Sequence, residues 1–326
     1  MEINTIKIKK AFTMIELIFV IIVLGIVSSI GAGIIANVYE SYITQRAVHN
    51  ASIKTELAIN QLANRLTYRI DRSMIARLPQ AGAVDYTSVG INPTIYPARS
   101  VPTAKLNSHS ALEWINYDND NFSTYKNPTW SGFVDLNRTA GNPTKTTAVR
   151  TPGSKLNKLT NYYNGLQKRA IIFLGTTSYY DDGAGDIRDY SPLCMYNANG
   201  CIFPVSIAGN TKLTLGTGAT DGDRTAGNMI YTEFYQLASS AFAIVPENNR
   251  ILPDTTVRVH DLVLYYGYQP WAGEGYKDGS RSVLLEDVSV FRFRKEDNAI
   301  RLKICTVERL GDQETISICK EKAVIR

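Results

Sequence analysis

The clearest pattern of hydrophobic and polar positions is an unbroken apolar run near the start of the chain. Residues from Leu17 to Ala36 are nearly all apolar, and the first charged residue after Glu16 is Glu40. An α-helix of about 20 apolar residues crosses the hydrocarbon core of a bilayer. Three lysines precede the run, and positive charge marks the cytoplasmic side of a span. The pattern predicts one membrane-spanning helix, with Met1 in the cytoplasm and everything after Asn37 on the other side.

A helical periodicity continues beyond this run. Apolar residues recur at steps of four and five and place one stripe on a helix, and no proline interrupts the chain before Pro79. We therefore predict one helix from about Phe12 to Leu78, about 100 Å long. The alternative is two helices joined between Tyr39 and Gln45. The predicted stripe consists of Ile53, Leu57, Leu62, Leu66, Ile70 and Met74.

The rest of the chain has the pattern of short strands. Residues 79–168 are polar and predict a variable connecting region with one candidate strand at Ala111–Tyr117. From Arg169 onwards apolar runs alternate with turn signals, and Lys295–Asn298 is a turn-forming cluster between two of them. No strand–helix–strand alternation occurs, so we expect an antiparallel sheet in 169–326. The predicted fold class is α+β, with the long helix packed on that sheet.

The overall charge changes this picture little, because a formal net charge of +5 does not by itself imply a nucleic-acid partner. One stretch, 138–169, is locally basic and contains no acid. It is either a solvated loop or a surface that meets DNA phosphates. Its basic residues are Arg138, Lys145, Arg150, Lys155, Lys158, Lys168 and Arg169.

Four cysteines fall into two close pairs, Cys194 with Cys201 and Cys305 with Cys319. No CxxC occurs and no histidine lies near a cysteine, which argues against zinc. If the region after the span lies in an oxidising compartment, two local disulfides, Cys194–Cys201 and Cys305–Cys319, are expected. In a cytosolic protein the same residues would be four buried thiols.

Candidate chemistry is limited to one acidic loop. Aspartates interspersed with glycines can wrap calcium through oxygen ligands, although the spacing in this loop does not match an EF-hand. The alternative is a solvated loop closed by Cys194–Cys201. Enzyme motifs such as GxSxG, HExxH and the Walker loop are absent, so we expect no enzymatic activity. The aspartates of the loop are Asp181, Asp182, Asp186 and Asp189.

The start of the apolar run carries a more specific signal. The small residue Ala11 lies before the apolar core, the reverse of the order in an ordinary secretory signal. The stretch KKAFTMIE, and after it LIFVIIVLGIV, resembles the leader junction of type IV prepilins and type II secretion pseudopilins. Beyond about the first 45 residues the resemblance is architectural only, and it implies a pilin-like α+β fold.

The resemblance implies a maturation step and a role for the single acid. A dedicated prepilin peptidase would cut between Ala11 and Phe12, where Ala11 replaces the usual glycine, and would methylate Phe12. Glu16 then becomes the fifth residue, whose carboxylate meets the free amino terminus of a neighbouring subunit in the family's filaments. Such a pair specifies register because a wrong offset leaves both charges unpaired. The alternative is that Glu16 extends to the lipid headgroups.

The resemblance also implies a function and a set of partners. The chain would be a minor pilin or minor pseudopilin of a type IV pilus, DNA-uptake or type II secretion filament. It would contact other subunits, the peptidase, an inner-membrane assembly platform and the bilayer, with its head in the periplasm. The predicted parts are a leader 1–11, a membrane half 12–38, a periplasmic half 39–78, the connection 79–168 and the head 169–326. Calcium, already weighed for the acidic loop, also occurs in some pseudopilins.

Two other functions fit the same sequence. One is a binding module displayed on a filament, either an adhesin or a DNA-contacting subunit. The other is a membrane-anchored periplasmic enzyme, which would not need the cut between Ala11 and Phe12.

Overall fold

A computed structural model of the chain shows one very long helix and a large antiparallel sheet. It describes residues 13–79, 95–99, 101–122, 128–136, 148–162, 169–174, 178–181, 187–190, 195, 202–215, 233–310 and 314–325. The helices are α1 Met14–Thr67, α2 Asn119–Phe122 and α3 Asn157–Tyr162. The strands are β1 Ile75–Arg77, β2 Ile95–Pro97, β3 Ala111–Tyr117, β4 Ala148–Arg150, β5 Arg169–Phe173, β6 Ser178–Asp181, β7 Ile187–Tyr190, β8 Ile202–Gly209, β9 Lys212–Leu215, β10 Tyr235–Ile251, β11 Arg258–Tyr268, β12 Ser280–Glu296, β13 Ala299–Arg309 and β14 Thr315–Ile325.

The helix α1 is continuous through the region where two helices were the alternative, but it ends earlier than the sequence predicts. It stops at Thr67 rather than Leu78. The chain then leaves the helix to join the sheet: the Ile70 amide donates to the Ile115 carbonyl at 2.8 Å. The β-branched Ile70 and Ile75 are both fully buried there, and β-branched residues favour extended structure. Both residues are apolar and therefore fit the helical periodicity, but in the structure they are buried against the sheet.

The sheet confirms the predicted antiparallel arrangement. Its main path among the described residues is β14-β13-β12-β11-β10-β5-β8-β9-β4, while β3 pairs with β10 and β1, and β1 pairs with β2. The strands β6 and β7 form a separate hairpin. All these pairings are antiparallel.

The sheet extends beyond the region 169–326 to which the sequence assigned it. The strand β3 has the bounds that its apolar pattern predicts, and it pairs with β10 in the middle of the sheet, Trp114 opposite Phe242. The strand β10 is long and runs through Ser239 and Ser240 without a break. The Ser239 hydroxyl donates to the Asn116 carbonyl at 3.0 Å, which supplies a polar partner at this irregular point of the pairing.

The second half of α1 packs on β12, β13 and β14 and buries only part of the predicted stripe: Leu62 and Leu66 are buried as predicted, whereas the two earlier members are not. Ile53 and Leu57 are 45 % and 56 % exposed, whereas Ala51 and Ala58 are buried. Small side chains let the helix approach the sheet closely, so the bulkier residues on the adjoining face are left outside. The buried positions of α1 are Ala51, Thr55, Ala58, Ile59, Leu62, Ala63 and Leu66.

The last two strands carry the predicted disulfide. Cys305 of β13 and Cys319 of β14 are directly opposite in the antiparallel register and are bonded. The bridge lies between the two strands that the helix contacts most. It confirms the expected Cys305–Cys319 pair, while Cys194 and Cys201 lie outside the described residues.

Candidate functional site

The first half of α1 is a free apolar rod. Its large apolar side chains from Met14 to Ile43 are all exposed, for example Leu24 at 61 % and Ile35 at 71 %. An exposed apolar surface of this extent marks contact with a membrane or another protein. Among the described residues, α1 is the one helix long and apolar enough to cross a bilayer, and its most apolar window is unburied.

Three glycines on this rod leave room for close contact. Gly25, Gly31 and Gly33 have nothing within 4 Å of the position that a Cβ atom would occupy. Glycine weakens a helix relative to alanine, and no contact among the described residues of this chain requires it here. Small residues in a membrane helix let a second helix approach the backbone closely.

Between Met14 and Tyr39 the one acid is Glu16, in the first turn of α1. The Glu16 amide donates to the Thr13 carbonyl at 3.1 Å, so that Glu16 is three residues past the N-cap. A carboxylate at this end of a helix is favoured by the helix dipole. Its side chain is exposed, and no ion pair to it is found within the described part of the chain. The arrangement places one negative charge at the tip of an apolar rod.

The second half of α1 is fastened to the sheet by polar as well as apolar contacts. In the buried centre the Thr55 hydroxyl donates to the Ala51 carbonyl at 2.7 Å and lies 2.7 Å from the Thr306 hydroxyl. At the exposed flanks Lys54 pairs with Glu308 at 3.0 Å, and Glu56 pairs with Lys320 at 3.4 Å. The head therefore holds α1 in a fixed orientation.

A buried arginine lies where the contact between α1 and the sheet ends. The fully buried Arg69 donates from Nη1 to the Leu66 carbonyl at 2.9 Å and from Nη2 to the Asn298 carbonyl at 2.6 Å. It thereby joins the C-terminus of α1 to the turn between β12 and β13. Sequence reasoning missed Arg69, Thr55 and Thr306, because a single polar residue in an apolar pattern carries no signal of its distant partner.

The other predicted site residues are placed only in part. Ala11 and Phe12 lie outside the described residues. Asp182 and Asp186 also lie outside the described residues. Asp181 is the last residue of β6, and Asp189 of β7 lies opposite Tyr179 of β6. No group of three or more His, Cys, Asp or Glu residues that could hold a metal ion occurs in the described ranges. The calcium site and the Cys194–Cys201 bridge remain predictions.

The basic run 138–169 is likewise only partly described. Arg150 ends β4, Lys155 lies two residues before α3, and Lys158 is the second residue of α3. Arg169 has a structural contact, since its Nη2 donates to the Leu159 carbonyl at 2.6 Å. Arg138, Lys145 and Lys168 lie outside the described residues. The described members therefore belong to strand and helix ends.

Comparison with known proteins adds no relative. No family model, no curated protein and no solved structure matches the chain. The α+β layout with one apolar N-terminal helix thus stands on the structure alone.

Proposed function

We propose that the chain is a minor pilin or minor pseudopilin, a structural and assembly subunit of a type IV pilus, DNA-uptake or type II secretion filament. The observation that carries this proposal is the division of α1 into two unlike halves. One half is an exposed apolar rod with Glu16 at its tip, and the other is clamped on the sheet. In this proposal the rod resides in the inner membrane with its start in the cytoplasm and the head in the periplasm.

Maturation supplies the partner of the single acid. A prepilin peptidase cuts between Ala11 and Phe12 and methylates Phe12, which leaves a cationic amine four residues before Glu16. Within one helix this amine lies at the same tip, and in an assembly it can meet the Glu16 of a neighbour. Because an unpaired charge in an apolar environment is costly, the pair selects one offset between subunits. The pair therefore sets the register of assembly.

Assembly exchanges lipid for protein around the rod. Lipid tails are as apolar as the side chains of the rod, so the hydrophobic effect favours neither state, and packing decides. The open positions at Gly25, Gly31 and Gly33 allow neighbouring helices to approach closely. Ile53 and Leu57, which the head leaves exposed, extend the apolar surface past the membrane segment. A platform and motor in the inner membrane would lift each subunit into the filament.

Mass spectrometry of the mature amino terminus tests this proposal. In cells with the prepilin peptidase we expect N-methylated Phe12 as the first residue, and in cells without it we expect Met1 or the residue after it. The variant Ala11→Gly restores the usual residue before the cut and should be processed at least as well. An intact leader in peptidase-positive cells, for both the parent chain and Ala11→Gly, would contradict the proposal.

A further inference from the structure

A groove of about 760 Å³ lies on the head, away from the apolar rod. It runs between the loop 101–110, which precedes β3, and the last three strands of the sheet. The strand β12 pairs with β11 only as far as Val288, so its edge from residue 289 onwards has no second strand among the described residues. Arg292 on this edge donates to Asn107 Oδ1 of the loop at 2.7 Å. The consecutive residues 291–294 of β12 line the groove, so side chains from both faces of this strand reach it.

The charge of this groove is unusual for neighbouring strands. Arg292 lies directly opposite Lys303 in the register of β12 and β13, and Arg294 lies opposite Arg301. Like charges at such positions repel and destabilise a sheet. All four line the groove, and we call it the cationic groove. Positive charge is therefore concentrated here at a cost to the pairing of the two strands.

Two carboxylates offset this charge only in part. Glu296 lies 3.0 Å from Arg294 and 3.5 Å from Arg301, and Glu321 lies 2.7 Å from Lys303. The Arg294 and Arg301 side chains nevertheless remain 76 % and 70 % exposed. Exposed ion pairs of this kind contribute little stability and can exchange their carboxylate for another anion. The four cations, together with Lys322, which also lines the groove, outnumber the two carboxylates and leave an excess of positive charge for a ligand.

The lining indicates what that ligand is. Arginine presents a planar fork of donors that matches a phosphate, and three of the four cations are arginines. Leu106 and Phe293, which are partly buried, supply apolar wall in the same groove. A polymer with only charged groups would not use this wall, whereas a polynucleotide presents phosphates on one side and flat base faces on the other. Proteins that bind single strands combine these two kinds of surface.

We infer that the cationic groove binds single-stranded nucleic acid, with phosphates on Arg292, Arg294, Arg301 and Lys303 and a base against the Phe293 and Leu106 wall. A groove of about 760 Å³ is large enough for a short stretch of one strand. The site does not depend on the assembly of α1. It also differs from the basic run 138–169, in which the sequence had suggested DNA contact.

Fluorescence anisotropy tests this inference on the full chain in non-ionic detergent micelles. The probe is a labelled oligodeoxythymidine of about 12 nucleotides, titrated between about 50 and 200 mM salt. The variant Arg294→Gln/Arg301→Gln should weaken binding at least about tenfold and make the salt slope shallower by about 1.4, two contacts at about 0.7 each. The matched control is Arg258→Gln, an exposed arginine at the start of β11, which should bind as the parent does.

A second variant distinguishes ligand binding from misfolding. Glu296→Gln removes the carboxylate that lies between Arg294 and Arg301, so we expect tighter binding, which a damaged fold cannot produce. The inference is overturned if the parent does not bind the oligonucleotide, or if Arg258→Gln weakens binding as much as the double variant. Stronger binding of duplex DNA, or of a sulfated polysaccharide in place of the oligonucleotide, would also overturn it.

Discussion

The hydroxyl oxygens of Thr55 on α1 and Thr306 on β13 lie 2.7 Å apart in the buried interface between helix and sheet. Thr55 uses its one hydrogen on the Ala51 carbonyl, so Thr306 is the donor between the two hydroxyls. This bond ties one turn of α1 to one position of the sheet. It thereby fixes the position of the sheet along the axis of α1.

Replacing these threonines should reveal their dependence on each other. Thr55→Val leaves the Thr306 hydroxyl buried without this acceptor, so we expect a loss of about 1–3 kcal/mol in the free energy of unfolding. Thr55→Val/Thr306→Val removes both polar groups and should be nearly neutral. Urea unfolding followed by near-UV circular dichroism measures both. A double variant less stable than Thr55→Val would contradict the hydrogen bond as the cause.

The outward side of α1 offers a test of assembly that spares the head. Leu57 is 56 % exposed and Leu62 is 1 % exposed. We expect Leu57→Asn to change the free energy of unfolding by no more than about 0.5 kcal/mol and yet to reduce the amount of assembled filament. Leu62→Asn, the matched control, should destabilise the head by about 2–5 kcal/mol. Filaments in normal number from Leu57→Asn would show that this face is not used in assembly.

Breaking an ion pair inside the head should lower the free energy of unfolding far more than breaking one on its surface. Glu113 of β3 accepts a hydrogen bond from the Tyr268 hydroxyl at 2.7 Å, and its other oxygen lies 2.9 Å from Arg77 Nε. Both charged side chains are at least nine-tenths buried. Glu113→Ala removes the carboxylate that lies 2.9 Å from the buried Arg77, so we expect a loss of about 3–5 kcal/mol in the free energy of unfolding.

The control for this pair is the exposed bridge between helix and sheet. Glu308→Ala breaks its contact with Lys54, whose side chain is 62 % exposed, and should cost no more than about 1 kcal/mol. Urea midpoints of the two variants give the comparison directly. Equal losses would mean that burial does not govern the strength of these pairs.

Local patterns predicted the elements whose signals are continuous in sequence. Residues close together in sequence predicted the apolar run of α1, the strand Ala111–Tyr117 and the Cys305–Cys319 bridge. The end of α1 could not be predicted in this way, because Ile70 fits an apolar helix stripe as well as it fits a buried strand. Only the pairing with β3 decides between the two, and β3 begins more than forty residues later in the chain.

The choice of helix face shows a second limit. Ile53 and Leu57 are more hydrophobic than Ala51 and Ala58, so the pattern wrongly assigned these two residues to the sheet, although it placed Leu62 and Leu66 correctly. Close approach of a helix to a sheet depends on side-chain volume, which a hydrophobic pattern does not weigh. The cationic groove is a third case: its four cations lie within residues 292–303, but the strand register that pairs them and the loop near Asn107 that borders them do not show in a hydrophobic pattern.

Acid should weaken the fold through a histidine in the sheet. Burial lowers the pKa of His260 below its usual 6.5; the nearby Asp261 opposes this shift, and Arg250 and Arg292 add to it. The unfolded chain therefore binds a proton at a pH where the folded chain does not. The stability from the neutral ring is present above pH 6.5 and is lost progressively below it.

Replacing the ring tests this dependence on pH. His260→Gln should flatten the fall in the free energy of unfolding as the pH drops below about 6.5. His49→Gln, at an exposed position of α1, should retain the slope of the parent. The measurement is a series of urea titrations across this range. A slope that His260→Gln leaves unchanged would assign the acid sensitivity to other groups.

The last prediction concerns the acid at the tip of the rod and depends on the proposed function. Glu16→Gln keeps the size of the side chain and removes the charge, so the amine of a neighbouring Phe12 would lose its counter-charge. A charge without its partner in the assembled helices is costly, and we expect assembled filament to fall at least about tenfold. Membrane insertion should persist, because the substitution makes the segment less polar. Glu40→Gln is the matched control: it removes the next carboxylate along α1, beyond the apolar run, and should assemble normally. Carbonate extraction measures insertion, and the subunit content of sheared filaments measures assembly. Normal assembly of Glu16→Gln, or an equal defect in Glu40→Gln, would remove the pairing role from Glu16.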